Sequence, residues 1–323
     1  GVSMWTVLIT GGSGFIGSHI ARSLVKAGYN VVIYDVVVND NLIRDIRNDV
    51  VIVQGDVTDN VLLVETIKKY KVNAIMHYAA LLSAAAERNP YQGFKVNFEG
   101  TWNVFNTAKE LGIEAIIFAS SAAVYGSNIS EFVREDTYTI PETLYGISKQ
   151  YGEMLGLWFY RRYNIGFAAF RYGSVIGPGR RDGGFSAYST LIIQKAAQGE
   201  DYVVNVPEDA CLPIIYIKDV ANLAIVALEN ISRLKSRIYN VSGLTPSPTA
   251  REIADVVNKY VRNVRIEFRP DPLAVEVVKS WPKNMDCSRL ERELNWKPKY
   301  SDLNLLVEDF INEVRANPEM FHV

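Results

Sequence analysis

The stretch WTVLITGGSGFIGSHIARSLVKAGYNVVIYD, residues 5–35, decides the fold. Trp5–Thr10 has the apolar pattern of a short buried strand, and the glycine-rich segment Gly11–Gly17 follows at once. A helical pattern then leads to a second apolar strand, Val31–Tyr34, which ends at Asp35. The order of strand, glycine loop, helix, strand and acid is typical of the first unit of a dinucleotide-binding sheet.

The glycines and the acid each suit a bound dinucleotide. Gly11 and Gly14 allow a tight turn and let the backbone approach a pyrophosphate, while Gly17 lets the helix pack against the strand. The free N–H groups at the helix N-terminus favour phosphate. The carboxylate of Asp35 can accept hydrogen bonds from ribose hydroxyls and would repel a 2′-phosphate. The sequence therefore predicts NAD as cofactor in preference to NADP.

Strand and helix patterns alternate through the next 140 residues. Strands are predicted at Val50–Val53, Ala74–Tyr78, Ala115–Ser120 and Gly166–Arg171, and helices at Val61–Tyr70, Tyr91–Leu111 and Tyr145–Tyr163. Near-continuous apolar strands joined by helices predict a parallel sheet that is covered on both faces. The expected fold class is α/β, a doubly wound Rossmann sheet.

The second half predicts a smaller, interleaved C-terminal lobe. Strand and helix patterns at Leu212–Ile217, Lys218–Glu229 and Arg237–Val241 return to the first unit. We therefore expect a nucleotide-binding domain over residues 1–172, joined by 212–241. Residues 173–211 and 242–323 would form the substrate-binding lobe.

The composition excludes several classes of protein. Of the 323 residues, 48% are hydrophobic and 22% are charged, and the net charge is −2, which favours neither nucleic acid nor an anionic membrane. No apolar run reaches the length of a membrane-spanning helix. Cys211 and Cys287 form no C-x-x-C pair, which predicts free thiols in a reducing cytoplasm. The three histidines lack metal-ligand spacing, and His77 lies in an apolar strand where it is expected to be a core residue.

A phenol and an ammonium group are placed on one helical face by Tyr145-Gly146-Ile147-Ser148-Lys149. An ordinary tyrosine titrates near pH 10, and a nearby cation favours its ionised form. Oxidation of a secondary alcohol needs a base for the hydroxyl proton, an acceptor for hydride and a donor that holds the oxygen. Tyr145, NAD and Ser121 could supply these three functions.

Together these motifs resemble the extended short-chain dehydrogenase/reductase family, which is also called the NAD-dependent epimerase/dehydratase family. The resemblance covers essentially the whole chain. It rests on GGSGFIG with Asp35, and on GDVTD at Gly55–Asp59, HYAA at His77–Ala80, VNFEGT at Val96–Thr101, SSAAVYG at Ser120–Gly126 and YGISK at Tyr145–Lys149.

The resemblance implies roles for the matching positions. Tyr145 would be the general acid/base, Lys149 would bind the nicotinamide ribose and lower the pKa of the tyrosine, and Ser121 would hold the substrate hydroxyl. The implied cofactor contacts are Gly11, Gly14, Phe15, Ile16, Gly17, Asp35, Asp56, Val57, Ala79, Ala80, Asn97, Ser120, Tyr145, Lys149 and Tyr172. No metal is implied.

Two groups within this family compete for the substrate half. Nucleotide-sugar epimerases and dehydratases usually carry an asparagine where this chain has Ser174, and Arg-Asp-Phe where it has LPIIY at Leu212–Tyr216. The short-chain type of L-threonine 3-dehydrogenase is more similar in AALLSA at Ala79–Ala84, in LPIIY and around Trp281. That similarity implies a small substrate pocket lined by Ser83, Ser121, Tyr145, Gly184, Ser186 and Trp281. One departure is Phe185-Ser186, where the group usually has two threonines.

The predicted function is NAD-dependent oxidation of a secondary alcohol in a small hydroxy substrate, with L-threonine as the best candidate. A UDP-sugar 4-epimerase or another sugar epimerase/dehydratase would share the first half-reaction and then return the hydride. A sugar-acid dehydrogenase of the uronate type would also make NADH. A non-catalytic NAD-binding protein is disfavoured, because such relatives usually lack Tyr145 or Lys149. The resemblance also implies a homodimer through the two long helices, and neither nucleic acid nor membrane is an expected partner.

Overall fold

The computed structural model describes residues 5–127, 129 and 131–323. The first four residues of the predicted nucleotide-binding domain lie outside the described residues. The strands are β1 (Thr6–Thr10), β2 (Asn30–Asp35), β3 (Val51–Gln54), β4 (Ala74–His77), β5 (Ala115–Ser121), β6 (Phe132–Val133), β7 (Gly166–Tyr172), β8 (Ser174–Ile176), β9 (Tyr202–Val204), β10 (Ile214–Tyr216), β11 (Ile238–Val241), β12 (Ile266–Phe268) and β13 (Asn284–Met285).

The α-helices surround and join these strands. They are α1 (Phe15–Lys26), α2 (Asn60–Tyr70), α3 (Ser83–Arg88), α4 (Pro90–Phe94), α5 (Gly100–Leu111), α6 (Leu144–Tyr163), α7 (Tyr188–Ala197), α8 (Ile217–Glu229), α9 (Ala250–Tyr260), α10 (Pro272–Lys279), α11 (Ser288–Leu294), α12 (Leu303–Ala316) and α13 (Pro318–Phe321). A π-helical turn, Lys95–Glu99, joins α4 to α5. Short 3-10 turns occupy Ala122–Tyr125 and Phe185–Ala187.

Seven strands form one parallel sheet in the order β11-β7-β5-β4-β1-β2-β3. The chain order reverses between β1 and β4, and the crevice at the carboxyl ends of these strands is where such sheets bind nucleotides. The predicted α/β class and doubly wound parallel sheet are confirmed.

The core lies on both faces of this sheet. Side chains alternate along a strand, so Val7 and Ile9 pack on the face that α1 and α8 cover, while Leu8 packs on the opposite face. The second face is covered by α2, α5 and α6. This double cover explains why the strands are apolar throughout.

The C-terminal segments interleave with the sheet. Strand β11 extends its edge beside β7, and α8 packs on α1, so both join the nucleotide unit. Strand β10 is shorter than the predicted Leu212–Ile217, and it pairs with β8 outside the central sheet. Helix α9 begins with a capping box, in which the Thr249 hydroxyl and the Glu252 carboxylate each bind the other residue's backbone N–H.

Candidate active site

The glycine loop between β1 and α1 is shaped by close backbone contacts. Gly11 has φ +68°, and a Cβ atom there would stand 3.1 Å from the backbone nitrogen of Ala79. A Cβ atom at Gly17 would overlap the carbonyl oxygen of Gly11, so only glycine lets the helix lie this close to the turn. The N-cap residue of α1 is Gly14, and no side chain caps the helix. The first N–H groups of α1 therefore remain available to an anion.

Asp35 lies at the end of β2 and binds the same loop. Its Oδ2 atom accepts hydrogen bonds from the backbone nitrogen of Ser13, at 3.0 Å, and from its hydroxyl, at 2.8 Å. Because Oδ2 is used in this way, Oδ1 is the oxygen that suits a ribose hydroxyl. The nearby arginines are paired elsewhere, Arg44 with Glu319 and Arg47 with Asp40. This arrangement suits NAD, which lacks the 2′-phosphate that a free arginine would bind.

Two of the predicted cofactor contacts, Asp56 and Val57, lie in the turn after β3. The Tyr34 hydroxyl donates to the carbonyl of Asp56 at 2.9 Å, and the Asn103 amide donates to that of Val57 at 3.0 Å. The turn is therefore held from two sides. Asn103 was not among the predicted site residues, because its partner is 46 residues away and no local pattern connects them.

The strand end at Ala79 and Ala80 is held by Asn97. The amide of Asn97 donates to the carbonyl of Leu81 at 2.9 Å and accepts from the N–H of the same residue at 2.8 Å. The π-helical turn Lys95–Glu99 carries this side chain, and such turns are frequent at functional sites. Asn97 therefore positions the backbone that follows Ala79 and Ala80, and its contact with the cofactor stays a prediction.

His77 is a buried core residue, as the sequence predicted. Its Nδ1 and Nε2 atoms lie 2.7 Å from the Thr10 hydroxyl and 3.0 Å from the Thr101 hydroxyl. Burial lowers the pKa of His77 to about 3, so the ring is neutral at physiological pH. Its hydrogen bonds join β4 to β1 and to α5.

The three predicted catalytic residues meet at the carboxyl end of β5. Ser121 ends this strand, and its Oγ accepts from the N–H of Ala123 at 3.1 Å. Tyr145 lies in the first turn of α6, and its hydroxyl interacts with that of Ser121. The Nζ atom of Lys149 lies 5.3 Å from the centre of the Tyr145 ring and donates to the carbonyl of Ala119 at 2.6 Å.

The start of α6 is held by two acceptors. The Thr143 hydroxyl accepts from the N–H of Gly146 at 2.9 Å, and Oε1 of Glu87 accepts from that of Leu144 at 2.8 Å. Both bonds satisfy N–H groups that a helix leaves unpaired at its start. They position the turn that carries Tyr145.

The electrostatics of this turn differ from the sequence expectation of a lowered tyrosine pKa. Burial raises the pKa of Tyr145, and hydrogen bonding with Ser121 offsets only part of that rise. Burial also lowers the pKa of Lys149 to about 7, although the charge of Glu153 acts the other way. Both groups lose water, and desolvation favours the neutral form of each. Without a bound cofactor, the protein therefore does not favour the phenolate form of Tyr145 that the sequence led us to expect.

A buried ionic network behind the site was missed by sequence reasoning. Glu153 accepts from Nε and Nη2 of Arg171 at 2.8 Å each, and from the hydroxyl of Ser120 at 2.6 Å. Nη1 of Arg171 reaches the hydroxyl of Tyr125 at 3.0 Å. The Ser120 hydroxyl donates to Glu153, so in a cofactor contact at that predicted position its oxygen could only accept a hydrogen bond. The one available signal was the i+4 spacing of Glu153 from Lys149.

The predicted substrate residues lie on three elements. Ser83 begins α3, which packs against α6. Gly184 and Ser186 lie at the turn before α7, and Nη2 of Arg180 is 3.4 Å from the Ser186 hydroxyl. Trp281 is half-buried and stacks on Tyr188 at the start of α7, with ring centres 6.3 Å apart. Its position is thus next to the turn that carries Ser186.

The last predicted cofactor residue, Tyr172, ends β7. Its hydroxyl lies 2.6 Å from that of Tyr78, which directly precedes Ala79. Both phenols are neutral, because burial raises their pKa values well above the ordinary value. Within residues 5–127, 129 and 131–323 no group of acidic, histidine or cysteine side chains could hold a metal ion. The same residues contain no helix that is long and apolar enough to span a membrane.

Comparisons with known proteins agree with this arrangement. The model of the NAD dependent epimerase/dehydratase family matches residues 7–242. The mitochondrial L-threonine 3-dehydrogenase of Bos taurus is 30% identical over 314 residues, which are 95% of this chain and 82% of the relative.

Solved structures extend the comparison. The holo form of an L-threonine dehydrogenase from Cupriavidus necator superposes with a TM-score of 0.88 at 28% identity, covering 96% of this chain and 99% of that one. A UDP-glucose 4-epimerase from Thermotoga maritima, solved with UDP-glucose, superposes with a TM-score of 0.80 at 23% identity over 96% and 99% of the two chains. The second likeness concerns the fold alone.

Proposed function

Since the chain belongs to the NAD-dependent epimerase/dehydratase family, we propose that it oxidises the 3-hydroxyl group of L-threonine. The products would be 2-amino-3-ketobutyrate and NADH. The observation that carries the proposal is the meeting of Ser121, Tyr145 and Lys149 at the carboxyl end of β5. The likeness of the whole chain to L-threonine dehydrogenases favours this substrate.

The residues of the crevice fit the NAD on which the family depends. The uncapped N-terminus of α1 suits the pyrophosphate, and the glycine surface beside Ala79 admits it closely. The free oxygen of Asp35 suits the adenosine ribose. When bound, NAD supplies the acceptor for the hydride that leaves the substrate carbon.

The protein groups would then move a proton and hold an oxygen. As the phenolate, Tyr145 would take the proton of the substrate hydroxyl and become a neutral phenol as the carbon–hydrogen bond breaks, and the Ser121 hydroxyl would donate to the oxygen that becomes the carbonyl. The protonated ammonium group of Lys149 would stabilise that phenolate before the proton is transferred. Because burial lowers the pKa of Lys149 to about 7, hydroxyl oxygens that accept from its ammonium group, or added negative charge in the crevice, would favour its protonated form.

Two features of the substrate half support a small substrate over a nucleotide sugar. The hydroxyl of Ser174, where nucleotide-sugar enzymes usually have asparagine, accepts from Nη1 of Arg180 at 2.8 Å. The LPIIY segment contains β10, and the hydroxyl of Tyr216 donates to Asp309 at 2.6 Å inside the lobe. Both side chains are therefore already engaged inside the protein.

A substrate panel tests the proposal directly. L-threonine, sugar acids and UDP-sugars would each be incubated with NAD, and both NADH and epimerised product would be measured. We expect stoichiometric NADH with L-threonine and little reaction with the others. An epimerised UDP-sugar without net NADH would replace the proposal with epimerase activity, and NADH from a uronate alone would replace it with a sugar-acid dehydrogenase.

We also propose that the protein is a cytoplasmic homodimer. The outer faces of α5 and α6 expose large apolar side chains, among them Trp102, Met154 and Trp158, which are 41–49% exposed. Such a patch supports pairing of these helices with a second copy. The free thiols of Cys211 and Cys287 suit a reducing compartment. A monomeric mass in sedimentation would contradict the homodimer. A disulfide in protein isolated without reductant would contradict the cytoplasmic location.

A further inference from the structure

An ion pair lies in the loop between β8 and the turn that carries Ser186. Arg180 donates from Nε to Oδ1 of Asp182 at 2.5 Å and from Nη2 to Oδ2 at 3.1 Å. Its Nη1 donates to the hydroxyl of Ser174 and to the carbonyl of Val175, at 2.8 and 3.0 Å. The guanidinium therefore uses its donors within the protein and is a poor receptor for a substrate carboxylate.

Asp182, in contrast, can still accept hydrogen bonds from a ligand. Its side chain is 30% exposed, and each carboxylate oxygen can accept further hydrogen bonds beyond those from Arg180. Burial raises the pKa of this carboxyl, but the hydrogen bonds and charge of Arg180 outweigh that effect and hold the pKa below its ordinary value. Asp182 is thus an ionised acceptor that solvent or a ligand can reach.

The pair also lies within electrostatic reach of the reacting group. The charge of Arg180 lowers the pKa of Tyr145, and the charge of Asp182 raises it. The pair is adjacent to Ser186 as well, at 3.4 Å from Nη2 of Arg180. The pair therefore lies beside the turn that carries Ser186, and its negative member is near enough to Tyr145 to affect the pKa of that residue.

From this geometry we infer that Asp182 binds the ammonium group of the substrate, an inference that rests on the proposed amino-acid dehydrogenase function. In a β-hydroxy-α-amino acid the amino group is on the carbon next to the reacting carbon, so its receptor must lie close to Tyr145. Ammonium to carboxylate is a strong, charge-assisted hydrogen bond. Asp182 would select amino alcohols and hydroxy amino acids over hydroxy acids and neutral sugars.

Arg180 explains how a carboxylate can serve this role. An isolated Asp182 would also repel the carboxylate of an amino acid, because both carry negative charge. The positive charge of Arg180 neutralises the charge of Asp182 for groups farther away, such as the substrate carboxylate. The carboxylate oxygens of Asp182 can still accept hydrogen bonds from an ammonium group that touches them. The pair is therefore suited to a zwitterion, which has no net charge but needs local partners.

The test compares L-threonine with 3-hydroxybutyrate, which has the same carbon skeleton without the amino group. We expect Asp182→Asn to lower kcat/KM for L-threonine by about 10- to 100-fold, the loss typical of a hydrogen bond between charged groups. The loss should appear mainly in KM. For 3-hydroxybutyrate, kcat/KM should stay within about twofold of the wild-type value. If the hydroxy acid is not turned over, its inhibition constant is measured instead, with the same expectation. Asp182→Glu, which keeps the charge, should recover part of the loss.

Asp255→Asn is the matched control, because Asp255 pairs with Arg251 on the exposed face of α9 and should affect neither ligand. No NADH from L-threonine with the wild-type protein would defeat the proposed function itself. Normal turnover with unchanged selectivity in Asp182→Asn, or equal losses with both ligands, would overturn the inference alone. Should that variant not fold, equal wild-type affinities for L-2-aminobutyrate and butyrate would overturn it instead.

Discussion

Lys149 and Glu153 lie one turn apart on α6, and both are buried, but their charges have different partners. Glu153 is held by a two-bond ion pair with Arg171 and by the Ser120 hydroxyl. Lys149 has one carbonyl acceptor, Ala119 O, and lies over the rings of Phe118 and Tyr145 at 5.1 and 5.3 Å.

Glu153 with Arg171 and Ser120 forms a fixed structural network, called the frame below. The turn of Tyr145 and Lys149 carries the reactive groups. A fully paired buried charge keeps its ionisation and resists movement, whereas a desolvated ammonium without a carboxylate partner titrates near neutrality. Lys149 has a pKa of about 7, so small changes in the crevice would shift its protonation. The turn with Tyr145 and Lys149 can therefore respond to bound ligands while the turn with Glu153 keeps its geometry.

The largest expected effect concerns the reactive turn. Tyr145→Phe removes the hydroxyl that exchanges the proton, and we expect kcat to fall by about 10²- to 10⁴-fold. The melting temperature and the Kd of NAD should change little, because the Glu153 network remains. Steady-state kinetics and a binding titration on the same preparation check this. Turnover at the wild-type rate would remove Tyr145 from the acid/base role.

The next effect concerns the frame. Glu153→Ala leaves Arg171 buried without its partner, and we expect the free energy of unfolding to drop by about 3–5 kcal/mol. Asp255→Ala breaks the exposed pair with Arg251 and should cost less than about 1 kcal/mol. Urea unfolding of both variants measures the contrast. Similar losses in the two would mean that burial of the Glu153 pair adds nothing to the fold.

Features that depend on local residue type and spacing could be predicted from the sequence. Gly11 and Gly17 must be glycine because a Cβ atom would clash or strain the loop, and this need is visible in the sequence as a motif. Strand alternation with helices also predicted the central sheet. The short helices α3, α10 and α11 escaped prediction, because six to eight residues show too little periodicity.

Features that depend on distant partners or on solvent could not be predicted. The partners of Arg171 in the network lie 18 and 46 residues away, at Glu153 and Tyr125, and no repeat connects them. The ionic pair of Arg180 and Asp182 is close in sequence, but its electrostatic effect on Tyr145 depends on the fold. The raised pKa of Tyr145 follows from exclusion of water, which composition and spacing do not reveal.

The smallest expected effect is a change in the free energy of unfolding, and its sign is opposite to that expected for Glu153→Ala. Lys149→Met removes a desolvated ammonium group, so we expect the free energy of unfolding to rise by about 1–3 kcal/mol at pH 7 although turnover is lost. The folded-state pKa of Lys149 is about 7, below the ordinary 10.5. Between these values the unfolded wild type binds a proton that the folded protein does not, so its stability rises with pH.

The advantage of Lys149→Met should therefore be greatest at and below pH 7 and fade as the pH approaches 10.5. Thermal unfolding across this range measures it, with Lys68→Met, on the exposed face of α2, as the matched control. A variant that is less stable than wild type at pH 7, with no pH trend, would show that the Ala119 hydrogen bond outweighs desolvation. Lys149 would then belong to the frame together with Glu153, and the contrast between the two turns would disappear.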